Sequence, residues 1–188
     1  MSNLKKTIII CEAILLFSFF GCTFLKDTTT SQKEEALEAA TKLMHFFENG
    51  DVDSLTVVLS EDALNTADLS TGIDYTFELF SGSIQSVNSK AVTIGKSWDN
   101  GFHKAIAEGY YIVITEEETY KLYIEYILED TQNPENIGKF QKIKVARQVD
   151  IDALGDSYIP GKSYSRLGIY NPEWDEWDQE PVNSTTTE

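Results

Sequence analysis

The sequence predicts an α+β domain in which N-terminal helices pack on one face of a curved antiparallel sheet. Apolar residues recur at helical spacing from Ala36 to Phe80, and this spacing changes to strict alternation after Gly82. The tripeptide Asp99-Asn100-Gly101 has the composition of a hairpin turn between two alternating segments. Helices followed by a run of strands are typical of the α+β class. Residues 31–150 are long enough for one domain with a single core.

The first helix is expected to begin at Ser31, because Ser31 and Glu34 have the spacing of a capping box. Its core-facing residues should form one stripe of Ala36, Leu37, Ala40, Leu43, Met44 and Phe47. Gly50 should end this helix in the left-handed conformation, and Asp51 should cap a second, short one. The helical region then continues to about residue 69, and a further short helix is expected at 72–80.

The alternating pattern predicts an antiparallel meander. Residues 83–98 form one or two strands, and residues 102–115 form a long strand after the hairpin. The clearest strand places Tyr120, Leu122, Ile124, Tyr126 and Leu128 on one face. After a loop at 131–137, residues 138–149 form a last strand, and its inward side chains are expected to be Ile143, Val145 and Val149.

The first twenty-two residues have the pattern of an exported bacterial lipoprotein. Lys5 and Lys6 precede an apolar run that ends at Gly21-Cys22, and this run is shorter than the roughly twenty residues that span a bilayer. We therefore expect residues 1–21 to be a signal peptide, Cys22 to carry the lipid, and residues 22–30 to be a tether without structure of its own. An uncleaved anchor and ordinary secretion are the alternatives. The expected location is the extracytoplasmic face of the cell membrane, held by acyl chains.

Charge and cysteine content exclude several classes of function. The chain carries 15 basic and 31 acidic residues, a net charge of −16, which repels nucleic acid and anionic lipid head groups. Cys11 lies in the predicted signal peptide and Cys22 would carry the lipid. The folded part would then contain no thiol for a disulfide, a nucleophile or a zinc site.

The composition changes after the predicted sheet. Residues 151–170 are expected to be an extension that lies over the domain, and residues 171–188 an acidic and aromatic tail that is largely disordered. Trp174 and Trp177 are candidate interaction residues, because an exposed aromatic side chain commonly anchors an interface. The alternative is a tail that folds back or has no role.

Three segments carry a resemblance to a known family. These are Phe47-Glu48-Asn49-Gly50-Asp51 with Leu55, the stretch from Phe77 to Ile84, and the stretch from Asn133 to Gly138. On these residues the chain resembles the domain-of-unknown-function 5104 group of bacterial lipoproteins, which is itself similar to the cystatin-like, nuclear transport factor 2-like superfamily. The resemblance implies a conical α+β domain with a cavity at one end. It implies no catalytic residue.

Enzymes of that superfamily that move protons next to a carbonyl need a carboxylate in an apolar pocket facing a hydrogen-bond donor. The candidates for such a cavity here are Asp74 with Tyr75, and Tyr110 or Tyr126 from the inward faces of strands. Two of them have a structural alternative: Tyr126 as a core tyrosine, and Asp74 as a capping or first-turn charge of a helix.

No metal, cofactor or catalytic residue is predicted. His45 and His103 have no second histidine at ligand spacing, and the acidic runs lack the pattern of a calcium loop. We expect a membrane-anchored module that binds a small apolar ligand or a protein partner, and that can form a homodimer. The alternative is an isomerase- or lyase-like enzyme that acts on a small apolar substrate in the cavity.

Overall fold

The computed structural model describes residues 28–154 and 166–172. Helix α1 occupies residues 28–49 and ends at Gly50, whose φ of +64° is the predicted left-handed stop. The helix already includes the three threonines at 28–30, so it extends into the segment predicted as a tether and does not begin at Ser31. Threonine is less favourable than alanine in a helix by only about 0.5 kcal/mol, too little to stop one by itself.

Three shorter helices follow: α2 at Val52–Val57, α3 at Glu61–Leu64 and α4 at Leu69–Leu79. The Asp51 side chain caps α2 as predicted, because it accepts a hydrogen bond from the Ser54 amide. Ser60 caps α3 in the same way through the Ala63 amide. These caps allow two very short helices to begin close together along the chain.

Within the described residues, the sheet has five strands in the order β1-β2-β3-β4-β5. Four of them form the predicted antiparallel meander: β1 at Ile84–Asp99, β2 at Phe102–Thr115, β3 at Thr119–Asp130 and β4 at Phe140–Arg147. A short 3₁₀ helix at Pro134–Asn136 connects β3 to β4. The turn between β1 and β2 consists of Asn100 and Gly101, both with positive φ, which confirms the predicted hairpin.

One face of the sheet packs on the helices and is called the inner face below. It carries Tyr111, Val113, Tyr120, Leu122 and Ile143, which are fully buried. The predicted stripe of α1 is buried with them except for Leu37, which is partly exposed. An edge-to-face contact between Phe47 and Phe77, with ring centres 5.7 Å apart, joins α1 to α4. The structure is thus α+β, with N-terminal helices on a curved, mostly antiparallel sheet that does not close.

The end of the meander differs from the prediction. Strand β4 stops at Arg147, and helix α5 at Gln148–Leu154 follows, so Val149 is helical and 54% exposed rather than inward. Arg147 is already paired with Tyr120, near the first residue of β3, so that residues after Arg147 have almost no strand beside them. An ion pair from Arg147 to Asp150, at 2.8 Å, lies across the start of the helix.

The extension contributes a fifth strand that the sequence did not predict. Strand β5 at Gly168–Ile169 pairs in parallel with β4 at the sheet edge. Asn171 is fully buried and donates to the Asp68 carboxylate at 3.1 Å, so this residue, one position beyond the predicted boundary at residue 170, packs against the domain. Among the described residues, no helix has the length and apolarity needed to cross a membrane.

Candidate functional site

The four cavity candidates do not converge on one site. Asp74 is exposed on α4, and Tyr75 beside it is half-buried with its ring 5.9 Å from that of Tyr170. Tyr110 lies on the outer face of the sheet, where its ring packs 4.9 Å from that of Tyr123. Tyr126 lies on the inner face and is 7% exposed.

The prediction that Tyr110 faces inward is therefore wrong. Side chains of a strand alternate between its two faces, and Tyr111 is the tyrosine of this pair that points inward. Both tyrosines are large and apolar enough for the core, so the sequence alone did not distinguish them. Asp74 is likewise not a first-turn charge, because α4 begins five residues earlier at Leu69.

A pocket of about 270 Å³ lies between α1 and the adjoining ends of β3 and β4. Leu43 and Phe46 of α1, Val58, and Phe140 of β4 give it an apolar wall. The remaining lining residues are Glu35, Glu38, Ala39, Lys42, Tyr126 and Gly138. Its volume is close to the lower end of small-molecule sites, which are roughly 300–1,000 Å³.

Tyr126 joins the polar rim of this pocket to its wall. Its ring lies 5.2 Å from that of Phe140, and its hydroxyl donates to a carboxylate oxygen of Glu35 at 3.4 Å. Burial raises the pKa of Tyr126 to about 12, and the charges of Glu35 and Glu38 act in the same direction. The hydroxyl is therefore a protonated donor at neutral pH.

Gly138 leaves space beside that hydroxyl. Its φ of +81° favours glycine, and a side chain there would begin 3.7 Å from the Tyr126 hydroxyl oxygen. Next to the pocket, a second depression of about 300 Å³ shares Lys42, Phe46 and Val58 with it. The Lys42 ammonium lies 5.8 Å from the centre of the Phe46 ring.

Sequence reasoning identified Tyr126 but missed the α1 side of the pocket. Ala39 and Phe46 lie at helical spacing on either side of Leu43 and widen the predicted core stripe on one side. An apolar stripe wider than the core requires is the signal that could have located this site. Glu35 and Glu38 have no such signal, because exposed glutamates are ordinary on a helix.

The outer face of the sheet carries a second polar cluster, which is buried. Glu125 accepts hydrogen bonds from Lys142 at 2.6 Å, Gln141 at 2.6 Å and Tyr123 at 2.8 Å. Burial would raise the pKa of Glu125, but these three hydrogen bonds outweigh burial and lower it. Each donor is satisfied within the fold, so we interpret this cluster as structural.

The two histidines lie apart from the pocket. His45 contacts Glu48 at 2.7 Å on α1, and His103 contacts Glu129 at 3.2 Å between β2 and β3. Within residues 28–154 and 166–172, no group of three or more histidine, cysteine or acidic side chains could hold a metal ion. Cys22, Trp174 and Trp177 lie outside the described residues.

The fold and the pocket define an α+β domain with a small, partly apolar site beside its first helix. By its sequence the chain belongs to the family described as domain of unknown function 5104, whose profile matches residues 42–148. This match extends from the middle of α1 to the first residue of α5. No curated protein and no solved structure matches the chain.

Proposed function

We propose that this protein is an extracytoplasmic lipoprotein whose domain binds a small, largely apolar ligand in the pocket beside α1. The observation that carries the proposal is the pocket wall of Leu43, Phe46, Val58 and Phe140, in which the partly exposed Phe46 and Val58 leave apolar surface open to a ligand. Helices on one face of a curved meander also support a nuclear transport factor 2-like fold, in which a site at one end of the sheet is expected.

The location depends on the N-terminal pattern of two lysines, an apolar run and Gly21-Cys22. Replacement of Cys22 by alanine should release the protein from the membrane fraction, because the acyl chains provide the anchor. A serine replacement at Cys11, within the predicted signal peptide, is the matched control and should leave the protein on the membrane. Retention of the Cys22 variant would contradict lipid anchoring.

The arrangement of acids favours binding over catalysis. A carboxylate acting as a base on a small apolar substrate needs an enclosed site, whereas Glu35, Glu38 and Asp74 are all exposed. Of the tyrosine candidates, Tyr126 alone lines the pocket. The enzyme alternative therefore has less support than a binding module.

Protein interaction is a second candidate function, and strand β1 favours it. Among the described residues β1 is an edge strand, paired with β2 alone, and Trp98 near its end is 73% exposed. The homodimer expected from the sequence could form along this edge. Sedimentation velocity of the detergent-extracted protein, over a hundredfold range of concentration, would detect it, and a monomer throughout would count against it.

Native mass spectrometry of the protein extracted from membranes tests the ligand proposal. A reproducible extra mass is expected on the natural chain, and Ala39→Trp should remove it by filling the pocket. Ala91→Trp, on the exposed part of β1, introduces the same side chain elsewhere and should keep the extra mass. Clean masses for all three proteins would oppose an occupied pocket. An extra mass retained by Ala39→Trp would place the ligand outside it.

A further inference from the structure

One end of the α1 pocket is lined by negative charge. Glu35 and Glu38 are three residues apart on α1 and therefore project from neighbouring positions on one face of the helix. Both are exposed, so both retain water on their outer sides. The Tyr126 hydroxyl meets Glu35 from the strand side at 3.4 Å, which is long for an O–H···O hydrogen bond. The Glu35 carboxylate thus has capacity for a stronger donor.

The basic side chain of the pocket, Lys42, lies near its apolar wall. Lys42 lies over the Phe46 ring, on the wall shared with the second depression. No ion pair joins it to Glu35 or Glu38 among the described residues. The net charge of −16 over the whole chain adds a negative potential that attracts cations to the pocket.

The apolar end of the pocket indicates the chemistry of the remaining part of the ligand. Phe46 and Val58 are partly exposed and offer apolar surface to a hydrocarbon or aromatic group, and Gly138 leaves the rim open beside Tyr126. A ligand that satisfies both ends has a compact apolar body and a terminal hydrogen-bond donor that is positively charged.

We propose that the pocket binds a small apolar amine in its protonated form, with the ammonium between Glu35 and Glu38 and the apolar body against Phe46 and Val58. This inference rests on the proposed ligand-binding function and deepens it by naming the ligand class. An ammonium near two partly hydrated carboxylates should bind about tenfold tighter than a neutral group of the same size. A carboxylate in that position should bind more weakly than the neutral group.

A matched series of three ligands tests the charge preference. 3-Phenylpropylamine, 3-phenylpropan-1-ol and 3-phenylpropionate have the same apolar body with a cationic, neutral or anionic end. The full chain is held in nanodiscs of zwitterionic lipid, with empty discs as the blank. Binding is followed through the methyl NMR signals of Leu43 and Val58, which report on the pocket wall directly.

The amine should bind most tightly, and added salt should reduce its advantage over the alcohol. Glu35→Gln with Glu38→Gln should reduce that advantage to about twofold or less and leave binding of the alcohol unchanged. Glu34→Gln with Glu61→Gln changes the net charge equally at exposed positions outside the pocket lining, and should preserve most of the advantage.

Equal binding of all three ligands, or tighter binding of the carboxylate, would overturn the amine inference and leave the pocket as a site for apolar ligands. An amine advantage that survives Glu35→Gln with Glu38→Gln would overturn the placement of the ammonium. No shift of the Leu43 and Val58 signals with any of the three ligands would overturn the amine inference together with the proposed function.

Discussion

The Lys142 ammonium donates a hydrogen bond to the Glu125 carboxylate at 2.6 Å, from strand β4 to strand β3 on the outer face of the sheet. Both residues are at least nine-tenths buried. The two residues are register partners, so the ion pair joins the two strands directly. Gln141 and Tyr123 donate to the same carboxylate.

Glu125→Ala should reduce the free energy of unfolding by about 3–5 kcal/mol, because it removes the acceptor of three donors, of which Gln141 and Lys142 are buried. Glu125→Gln keeps one acceptor oxygen and should have a smaller effect. Urea unfolding followed by circular dichroism measures both changes. Glu78→Ala, an exposed glutamate on α4 away from this cluster, is the control and should change the free energy by at most about 0.5 kcal/mol. Equal effects of Glu125→Ala and Glu78→Ala would contradict the structural role of this cluster.

The same carboxylate should make the protein sensitive to acid. The pKa of Glu125 in the folded state is below its ordinary value of 4.5, so the unfolded state takes up the proton first as the pH falls. The free energy of unfolding contributed by this group is therefore present above about pH 4.5 and is lost as the pH falls through the folded-state pKa. Unfolding measured from pH 6 to pH 3 should show a shallower decline for Glu125→Gln than for the natural chain. Parallel curves would show that the carboxylate has the same pKa in both states.

Removal of the hydroxyl group should have opposite effects on protein stability at two buried tyrosines. The Tyr111 hydroxyl is buried without a hydrogen-bond partner among the described residues, so Tyr111→Phe should stabilise the protein by about 1 kcal/mol. The Tyr120 hydroxyl accepts from the Ser81 amide at 2.8 Å and donates to the Leu79 carbonyl at 3.2 Å. Tyr120→Phe should therefore destabilise by about 1–3 kcal/mol. Thermal unfolding of both variants provides the comparison, and destabilisation by Tyr111→Phe would indicate a partner for that hydroxyl.

Gly72 marks the contact between α4 and β5. A methyl group on Gly72 would begin 2.2 Å from the Ile169 carbonyl oxygen, so Gly72→Ala should push β5 away and destabilise by about 1–3 kcal/mol. Gly95→Ala is the matched control, because its nearest neighbour would be a Glu108 oxygen at 3.5 Å. Limited proteolysis near residues 168–169, with the unfolding midpoint, measures the effect. Equal behaviour of the two variants would contradict close packing of β5 on α4.

Local signals in the sequence predicted most of this fold. Asn100-Gly101 located the hairpin, Asp51 located the start of α2, and the alternation from Tyr120 to Leu128 identified the inner face of β3. Such signals depend on residues close together along the chain, because turn residues and the spacing of apolar side chains determine local structure. Strand β5 has only two residues and forms because the edge of β4 is available for pairing. No local sequence pattern therefore predicts it.

The pocket likewise has one residue that a local pattern predicted and others that no local pattern predicted. The sequence identified Tyr126 because it belongs to an alternating strand, but its neighbour Glu35 is 91 residues away along the chain. Their meeting follows from the packing of α1 against β3, which a single sequence does not encode as a motif. Asp74 was proposed from residue type alone, and its exposure shows how little residue type indicates without a predicted neighbour.

Tyr126 supplies the last prediction, since its hydroxyl and its ring have separate roles. The hydroxyl makes one long bond to an exposed carboxylate, so Tyr126→Phe should change the free energy of unfolding at pH 7 by at most about 0.5–1 kcal/mol. The ring is buried beside Phe140, so Tyr126→Ala should destabilise by about 3–5 kcal/mol.

At high pH, Tyr126→Phe and the natural chain should differ in how much stability they lose. The folded-state pKa of Tyr126 is raised to about 12 from an ordinary value of 10.0, so the unfolded chain loses this proton first as the pH rises. The contribution of this group to stability is complete below pH 10 and is lost as the pH approaches 12. Urea unfolding at pH 7 and pH 11 should show a smaller loss for Tyr126→Phe than for the natural chain. Equal losses would mean that the hydroxyl ionises as freely in the folded protein as in the unfolded chain, and that it lies in water instead of beside Glu35.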